Sequence, residues 1–162
     1  MDIERMGLDY GRLRLYQDGL PISDHAMQIV LDLAQAGSYN YRLLVELMRY
    51  GAQLTGTEAP ELLLEEYELA RQVLVSLRPR QDKACARRLQ ERSQALLDRR
   101  DKFIAERIAQ TLQPGETGLI FLGMLHSLEG RLPSDMQLCR GGQGLAMDPG
   151  AKKSPGKKEV SL

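Results

Sequence analysis

The sequence predicts an α/β fold in which a small three- to four-stranded, mostly parallel sheet is flanked by helices and one long charged helix. Candidate strands alternate with helical patterns along the chain, which is the arrangement of a parallel α/β sheet. The clearest strand is the apolar run at residues 118–123, whose length and composition are typical of a buried parallel strand. Gly123 lets the chain turn sharply at the end of this run, and His126 follows three residues later.

The other elements are predicted from periodicity and turn signals. Residues 12–17 alternate polar and apolar side chains, as a strand does, and end at the turn signal DGLP. Apolar side chains at helical spacing predict a helix that Ser23 or Asp24 caps and that ends at Gly37, followed by a second helix. The second helix is predicted over residues 39–50. A weak strand over residues 52–57 and a helix over residues 61–77 follow it. The last two predicted elements are a long helix over residues 81–113 and a short strand over residues 136–139.

The longest helical pattern, residues 81–113, would span about 50 Å if it were straight. A small sheet cannot cover so long an apolar stripe, so we expect the helix to bend near Ser93 or to pack against its copy in a homodimer. Residues 1–139 are predicted to form one domain. Residues 140–162 are rich in Gly, Pro and Lys and are predicted to form a disordered tail that takes no part in this contact.

Composition excludes several classes of partner. The 162 residues include 22 Lys and Arg and 22 Asp and Glu, so no overall charge favours nucleic acid or an anionic membrane. The basic residues of the long helix are mixed with acidic ones and have no interleaved aromatics, which argues against nucleic-acid binding. Cys85 and Cys139 fit no metal-ligand spacing, and no stretch is long and apolar enough for a membrane span. We expect a cytoplasmic protein.

Polar side chains follow three of the predicted strands. If the strands are parallel, Asp18, Glu58 and His126 should converge at the carboxyl edge of the sheet, where ligands bind in open α/β folds. Two carboxylates and an imidazole suit a metal site or general acid–base chemistry. Each residue also has a structural interpretation: Asp18 as a turn residue, Glu58 at a helix start, and His126 as a hydrogen-bonded structural histidine.

Arg100 lies on the long helix and could reach back toward this crevice. A guanidinium suits an anionic group of a substrate, although an ordinary salt bridge within the helix is the simpler interpretation of the residue. The sequence contains no phosphate-binding glycine loop of the GxxxxGK[ST] or GxGxxG type and no GxSxG nucleophile motif. Nucleotide binding and serine hydrolase chemistry of these types are therefore not predicted.

The segment from Arg100-Asp101 through Ala105 and Ile108 to the GMLH motif at residues 123–126 resembles the carboxyl-terminal part of TraB/Tiki-like proteins. These are relatives of the ChaN-like and erythromycin-esterase-like groups, in which an arginine-led helix precedes a strand and a Gly-x-x-His motif. The similarity covers mainly residues 99–130, with an echo in GTE at residues 56–58. The chain is also similar to small bacterial proteins built on YQDGLP, GTE and GMLH.

The resemblance implies a mixed α/β core with a crevice of histidine and glutamate, and for Tiki proteins it implies metal-dependent peptidase chemistry. Tiki proteins have two Gly-x-x-His motifs, whereas this chain has one, so a second half of the site would have to come from another subunit or be missing. The leading hypothesis is a metal-assisted hydrolase. In it His126 and Glu58 bind a divalent metal such as Mn, Co or Zn or act as base, and Arg100 and Asp18 contact the substrate.

The competing hypothesis is a non-enzymatic binding or regulatory module. In this interpretation the crevice holds a small molecule or a peptide, and the long helix makes a homodimer or partner contact. A structure that shows the distances among Asp18, Glu58 and His126 is the most informative test of a shared site, and a rise in melting temperature with Mn, Co or Zn that His126→Ala abolishes would distinguish the enzyme from the binding module.

Overall fold

The computed structural model describes residues 8–76, 83–139 and 158–161. Five strands form one sheet in the order β2-β1-β3-β5-β4, and every neighbouring pair is parallel. The strands are β1 (Leu13–Gln17), β2 (Gln53–Leu54), β3 (Thr117–Phe121), β4 (Met136–Cys139) and β5 (Lys158–Ser161). The predicted α/β class with a parallel sheet is confirmed.

In the residues that the structure describes, four helices accompany the sheet, and a short 3-10 turn at Tyr10–Arg12 precedes β1. Within the described ranges, none of the helices combines the length and the apolar character that crossing a bilayer requires. The helices are α1 (Ala26–Gln35), α2 (Tyr39–Arg49), α3 (Pro60–Ser76) and α4 (Lys83–Thr111).

The two faces of the sheet pack against different helices. Leu13 and Leu15 of β1 point to one side and join Leu44 of α2 in a core cluster, because alternate strand residues face opposite sides. Tyr16 points to the other side and packs with Ile104 of α4. The central strand β1 is therefore buried on both faces, as expected for a parallel sheet.

The long helix α4 continues through Ser93 without interruption. Its amino-terminal half packs against α3, in a cluster formed by Leu62, Leu69, Leu89 and Leu96. The part of the apolar stripe of α4 that extends beyond the sheet is thus covered by α3, and not by a bend of α4 or by a second copy of the chain. Homodimerisation stays a prediction, but the length of α4 no longer requires it.

The strand β5 lies in the segment whose composition predicts a tail. Residues 140–157 lie outside the described residues, whereas Lys158–Ser161 pair with both β3 and β4. Val160 is fully buried, in the cluster that also contains Ile120. The sheet consequently has five strands rather than three or four, and this part of the predicted tail belongs to the core.

Candidate functional site

The loops that follow β1, β2 and β3 lie side by side at the carboxyl edge of the sheet, because these strands are parallel neighbours. The loop after β1 is joined to the loop after β2 by a hydrogen bond from Ile22 N to Glu58 O of 2.8 Å. Gly56 makes this approach possible, since a Cβ at this position would lie 2.7 Å from Pro21 O. The loops after β1 and β2, which carry Asp18 and Glu58, are therefore held close together.

An imidazole–carboxylate pair is the centre of the site. His126 Nδ1 lies 2.6 Å from Asp101 Oδ1, and Ser127 N donates to Asp101 Oδ2 at 3.0 Å. An ionised carboxylate only accepts hydrogen bonds, so we assign the donated proton to Nδ1. The exposed fractions of the two side chains are 6% for His126 and 5% for Asp101. In neutral His126, the acceptor is consequently Nε2.

Asp18 faces this acceptor from the end of β1. Its Oδ2 lies 3.7 Å from His126 Nε2, which is longer than a hydrogen bond, and accepts one from Gly123 N at 2.6 Å. A Cβ on Gly123 would lie 2.9 Å from the same oxygen, so the glycine of the GMLH motif is required for close approach to Asp18. The structure thus brings Asp18 and His126 together at the edge of the sheet, as the sequence predicts.

Glu58 is engaged by a buried ion pair. Its Oε1 accepts hydrogen bonds from Gly19 N at 2.6 Å and from Arg100 Nη2 at 2.8 Å, and its Oε2 accepts from Arg100 Nε at 2.6 Å. Arg100 also donates to Glu66 through Nη1. Both partners of the ion pair are buried, with exposed fractions of 5% for Arg100 and 0% for Glu58.

The ion pair keeps Arg100 charged. Burial alone would lower the pKa of Arg100, but the hydrogen bond and the negative charge of Glu58 outweigh it and raise the pKa above its ordinary value. The contacts of Glu58 and Arg100 are those of residues that position the loops. The metal-binding or catalytic role of Glu58 and the substrate-binding role of Arg100 stay predictions.

One turn of α4 connects the whole edge. Arg100 and Asp101 are adjacent in sequence, yet Arg100 binds Glu58 after β2 and Asp101 binds His126 after β3. These two neighbouring charged groups of α4 thus bind two different loops. The Arg-Asp pair noted in the resemblance therefore fixes the relative position of the two loops that carry the site.

Among the described residues, the side chains of the site do not form a complete set of ligands for a metal ion. The 3.7 Å between His126 Nε2 and Asp18 Oδ2 suits two ligands of one ion, since metal–ligand bonds of about 2.1 Å place adjacent ligands roughly 3–4 Å apart. In the part of the chain that the structure describes, however, no group of three or more His, Cys, Asp or Glu side chains could hold a metal ion. Catalytic zinc sites use three protein ligands. The described donors therefore fall short of a catalytic zinc site.

Two residues near the site were missed by sequence analysis in addition to Asp101. Gln17, the last residue of β1, donates through Nε2 to Asp18 Oδ1 at 2.7 Å. Burial raises the pKa of Tyr41 of α2, and the negative charge of Asp18 raises it further. Tyr41 therefore lies within electrostatic range of Asp18. Asp101 could have been found through its place beside Arg100, but no sequence signal points to Gln17 or Tyr41.

Comparison with protein-family models, with curated proteins and with solved structures found no match for this chain.

Proposed function

We propose that the protein is a cytosolic hydrolase in which His126 is the general base that activates water. The observation that carries this proposal is the orientation of the imidazole: Nδ1 is bound to Asp101 at 2.6 Å, and Nε2 faces Asp18 at 3.7 Å. A histidine held by a carboxylate on one nitrogen, with the other nitrogen as acceptor, is the arrangement of a general base. Its place at the carboxyl edge of a parallel sheet is where substrates bind in such folds.

The reaction has two proton transfers. His126 Nε2 takes a proton from water as the water oxygen forms a bond to the electrophilic atom of the substrate. The resulting imidazolium carries protons on both nitrogens, and Asp101 stabilises its charge through the Nδ1 hydrogen bond. Nε2 then returns the proton to the leaving group as the scissile bond breaks, and His126 is neutral again. Asp18 adds a second negative charge beside the imidazolium.

The buried ion pair supports this arrangement without touching the reacting atoms. Glu58 accepts from the backbone of Gly19, the residue after Asp18, and Arg100 fixes Glu58 to α4. Because Asp101 is the next residue of α4, the position of Asp18 relative to His126 depends on this pair. We assign Glu58 and Arg100 the role of positioning residues.

The proposal is tested with chromogenic esters and phosphoesters: p-nitrophenyl acetate, p-nitrophenyl phosphate and bis-p-nitrophenyl phosphate. We expect hydrolysis of at least one of them, and a fall in kcat/KM of about 10²- to 10⁴-fold in His126→Gln, which is the usual contribution of general base catalysis. His25→Gln is the matched control, because His25 is exposed before α1. No hydrolysis by the wild type, or equal rates in both variants, would contradict the proposal.

The second candidate is a non-enzymatic binding module that acts as a homodimer. It is favoured by four exposed apolar side chains on α3, with exposed fractions of 66% for Leu64, 62% for Tyr67, 68% for Leu74 and 61% for Val75. Since α3 covers α4, the dimer contact would lie on α3. Light scattering tests this candidate: a wild-type dimer that becomes a monomer in Leu74→Glu, together with no hydrolysis, would favour the binding module.

A further inference from the structure

A buried acceptor without a partner lies beside the carboxylate of Asp18. Gln17 is 5% exposed, and its Nε2 donates to Asp18 O at 3.1 Å and to Asp18 Oδ1 at 2.7 Å. These two acceptors fix the orientation of the amide, because the flipped amide would place Oε1 against two oxygens. In the described part of the chain, Gln17 Oε1 then finds no hydrogen-bond partner.

Such an atom points to a missing ligand, because buried polar groups in native proteins are nearly always paired. The Nε2 of this amide contacts the carboxylate of Asp18, so Gln17 Oε1 lies at the carboxyl end of β1 beside Asp18, the residue that faces His126. Both Gln17 Oε1 and the carboxylate of Asp18 can only accept hydrogen bonds. A group that satisfies both must be a donor.

The charge of the surroundings selects the kind of donor. Among the described residues, four carboxylates belong to the connected network of the site, and one guanidinium, that of Arg100, binds two of them. With a neutral imidazole the network is negative overall, which attracts a cation. The raised pKa of Tyr41, to which the charge of Asp18 contributes after burial, agrees with a negative potential here. The carboxylates are those of Asp18, Glu58, Glu66 and Asp101.

We infer that Gln17 and Asp18 form a subsite for a primary ammonium group, which donates one hydrogen bond to Gln17 Oε1 and another to the Asp18 carboxylate. An ammonium has three N–H donors and no acceptor, so it complements this pair in charge and in hydrogen bonding. His126 Nε2 stays available for water. The inference rests on the proposed function only in that the ammonium belongs to the substrate; the substrate class is then an ester or amide of an amine-bearing compound.

The subsite is tested by titrating the full-length ¹⁵N-labelled protein with n-butylammonium chloride and following the backbone amides of Gly19 and Gly123 by NMR. We expect saturable shifts with n-butylammonium and none with 1-butanol, which lacks the charge. Butyltrimethylammonium keeps the charge but has no N–H donor, so we expect it to bind at least tenfold more weakly. Equal affinity for both cations would overturn the hydrogen-bonding role of Gln17.

Gln17→Met keeps the length of the side chain and removes the acceptor, so we expect n-butylammonium to bind at least tenfold more weakly. Gln28→Met is the matched control, because Gln28 Nε2 also donates to an aspartate, Asp32 at 2.7 Å, but on the exposed surface of α1. If Gln17→Met fails to fold, Asp18→Asn tests the same subsite by removing its negative charge. We expect this variant also to bind n-butylammonium at least tenfold more weakly. Unchanged affinity in the folded variant would overturn the inference.

Two further measurements separate the ammonium subsite from the hydrolase proposal and from a metal site. A wild-type protein that binds n-butylammonium without hydrolysing any of the substrates would overturn the proposed function alone. MnCl₂ should not reproduce the shifts at Gly19 and Gly123. A response to MnCl₂ that Gln17→Met abolishes, with no response to n-butylammonium, would overturn the ammonium subsite in favour of a metal ion.

Discussion

Asp101 and His126 form a hydrogen bond of 2.6 Å between α4 and the loop after β3. The second oxygen of Asp101 accepts from Ser127 N, so the carboxylate fixes both the ring and the backbone that carries it. This double contact leaves the ring little freedom to rotate. The reactivity proposed for Nε2 therefore depends on a residue of a different element, which contacts the opposite nitrogen.

Asp101→Asn should abolish the general base and keep the shape of the site. The amide would donate to His126 Nδ1, which moves the imidazole proton to Nε2 and removes the acceptor that water requires. We expect kcat/KM on the chromogenic substrates to fall about 10²- to 10⁴-fold. The ¹⁵N chemical shifts of the His126 ring should report the change of tautomer. Asp98→Asn is the control, since Asp98 lies on the exposed side of the same helix and binds Arg131.

Gly123→Ala should displace Asp18 from His126. The added Cβ would lie 2.9 Å from Asp18 Oδ2, closer than real contacts allow, so the carboxylate or the loop has to move. We expect kcat/KM to fall at least tenfold while the protein stays folded by circular dichroism. Gly11→Ala is matched to it, because the Cβ there would lie 3.5 Å from Asp9 Oδ1, an ordinary contact. Wild-type activity in Gly123→Ala would show that the position of Asp18 is unimportant.

Arg100→Met should destabilise the protein strongly. The substitution leaves the carboxylate of Glu58 buried without its partner, and breaking a buried ion pair in this way costs about 3–5 kcal/mol of the free energy of unfolding. Arg99→Met is the adjacent control: Arg99 binds Glu65 at the surface, where such pairs contribute about 0–1 kcal/mol. Urea denaturation measures both values. A similar loss in the two variants would mean that the Glu58–Arg100 pair has no special structural role.

Local patterns in the sequence are sufficient to predict most of the fold. Alternation over residues 12–17 and the apolar run that precedes Gly123 predict β1 and β3, because strand formation depends on side chains within a few residues. The shared edge of Asp18 and His126 follows from the geometry of parallel strands. β5 carries no comparable signal, since it lies in a segment rich in Gly, Pro and Lys and its identity as a strand depends on the neighbours β3 and β4.

The partners of the site residues could not be predicted, because they are set by packing between elements that are distant in sequence. Arg100 and Glu58 are 42 positions apart, and their bond depends on how α4 lies across the loop after β2. Helical periodicity places Arg100 on a face of α4 but does not say which carboxylate that face meets. The free acceptor of Gln17 is likewise a property of the assembled edge and of no local motif.

Alkaline pH should destabilise the protein through Tyr16. Burial raises the pKa of Tyr16 from 10.0 to about 12, so the folded state holds the phenolic proton more tightly than the unfolded chain does. The stabilisation is complete below pH 10.0 and is lost as the pH rises through about 12. Tyr16→Phe removes the hydrogen bond to Thr111, so we expect its free energy of unfolding at pH 8 to be about 1 kcal/mol lower than that of the wild type. As the pH rises further, the free energy of unfolding of the variant should decline less steeply than that of the wild type.

Urea denaturation between pH 8 and pH 11.5 measures this difference. Tyr39→Phe is the control, because Tyr39 is 63% exposed and the substitution should leave the wild-type decline unchanged. Parallel declines for the wild type and Tyr16→Phe would contradict the assignment of the alkaline transition to Tyr16.

Val160→Ala should lower the free energy of unfolding by about 2 kcal/mol, because Val160 is fully buried and two methyl groups leave the core. Val75→Ala removes the same atoms from a residue that is 61% exposed, so its effect should stay within about 0.5 kcal/mol. A tail that made no contact with the domain, as predicted from composition, would give equal and negligible effects in both variants. A difference of the expected size would instead establish that β5 fills the gap between β3 and β4 in solution.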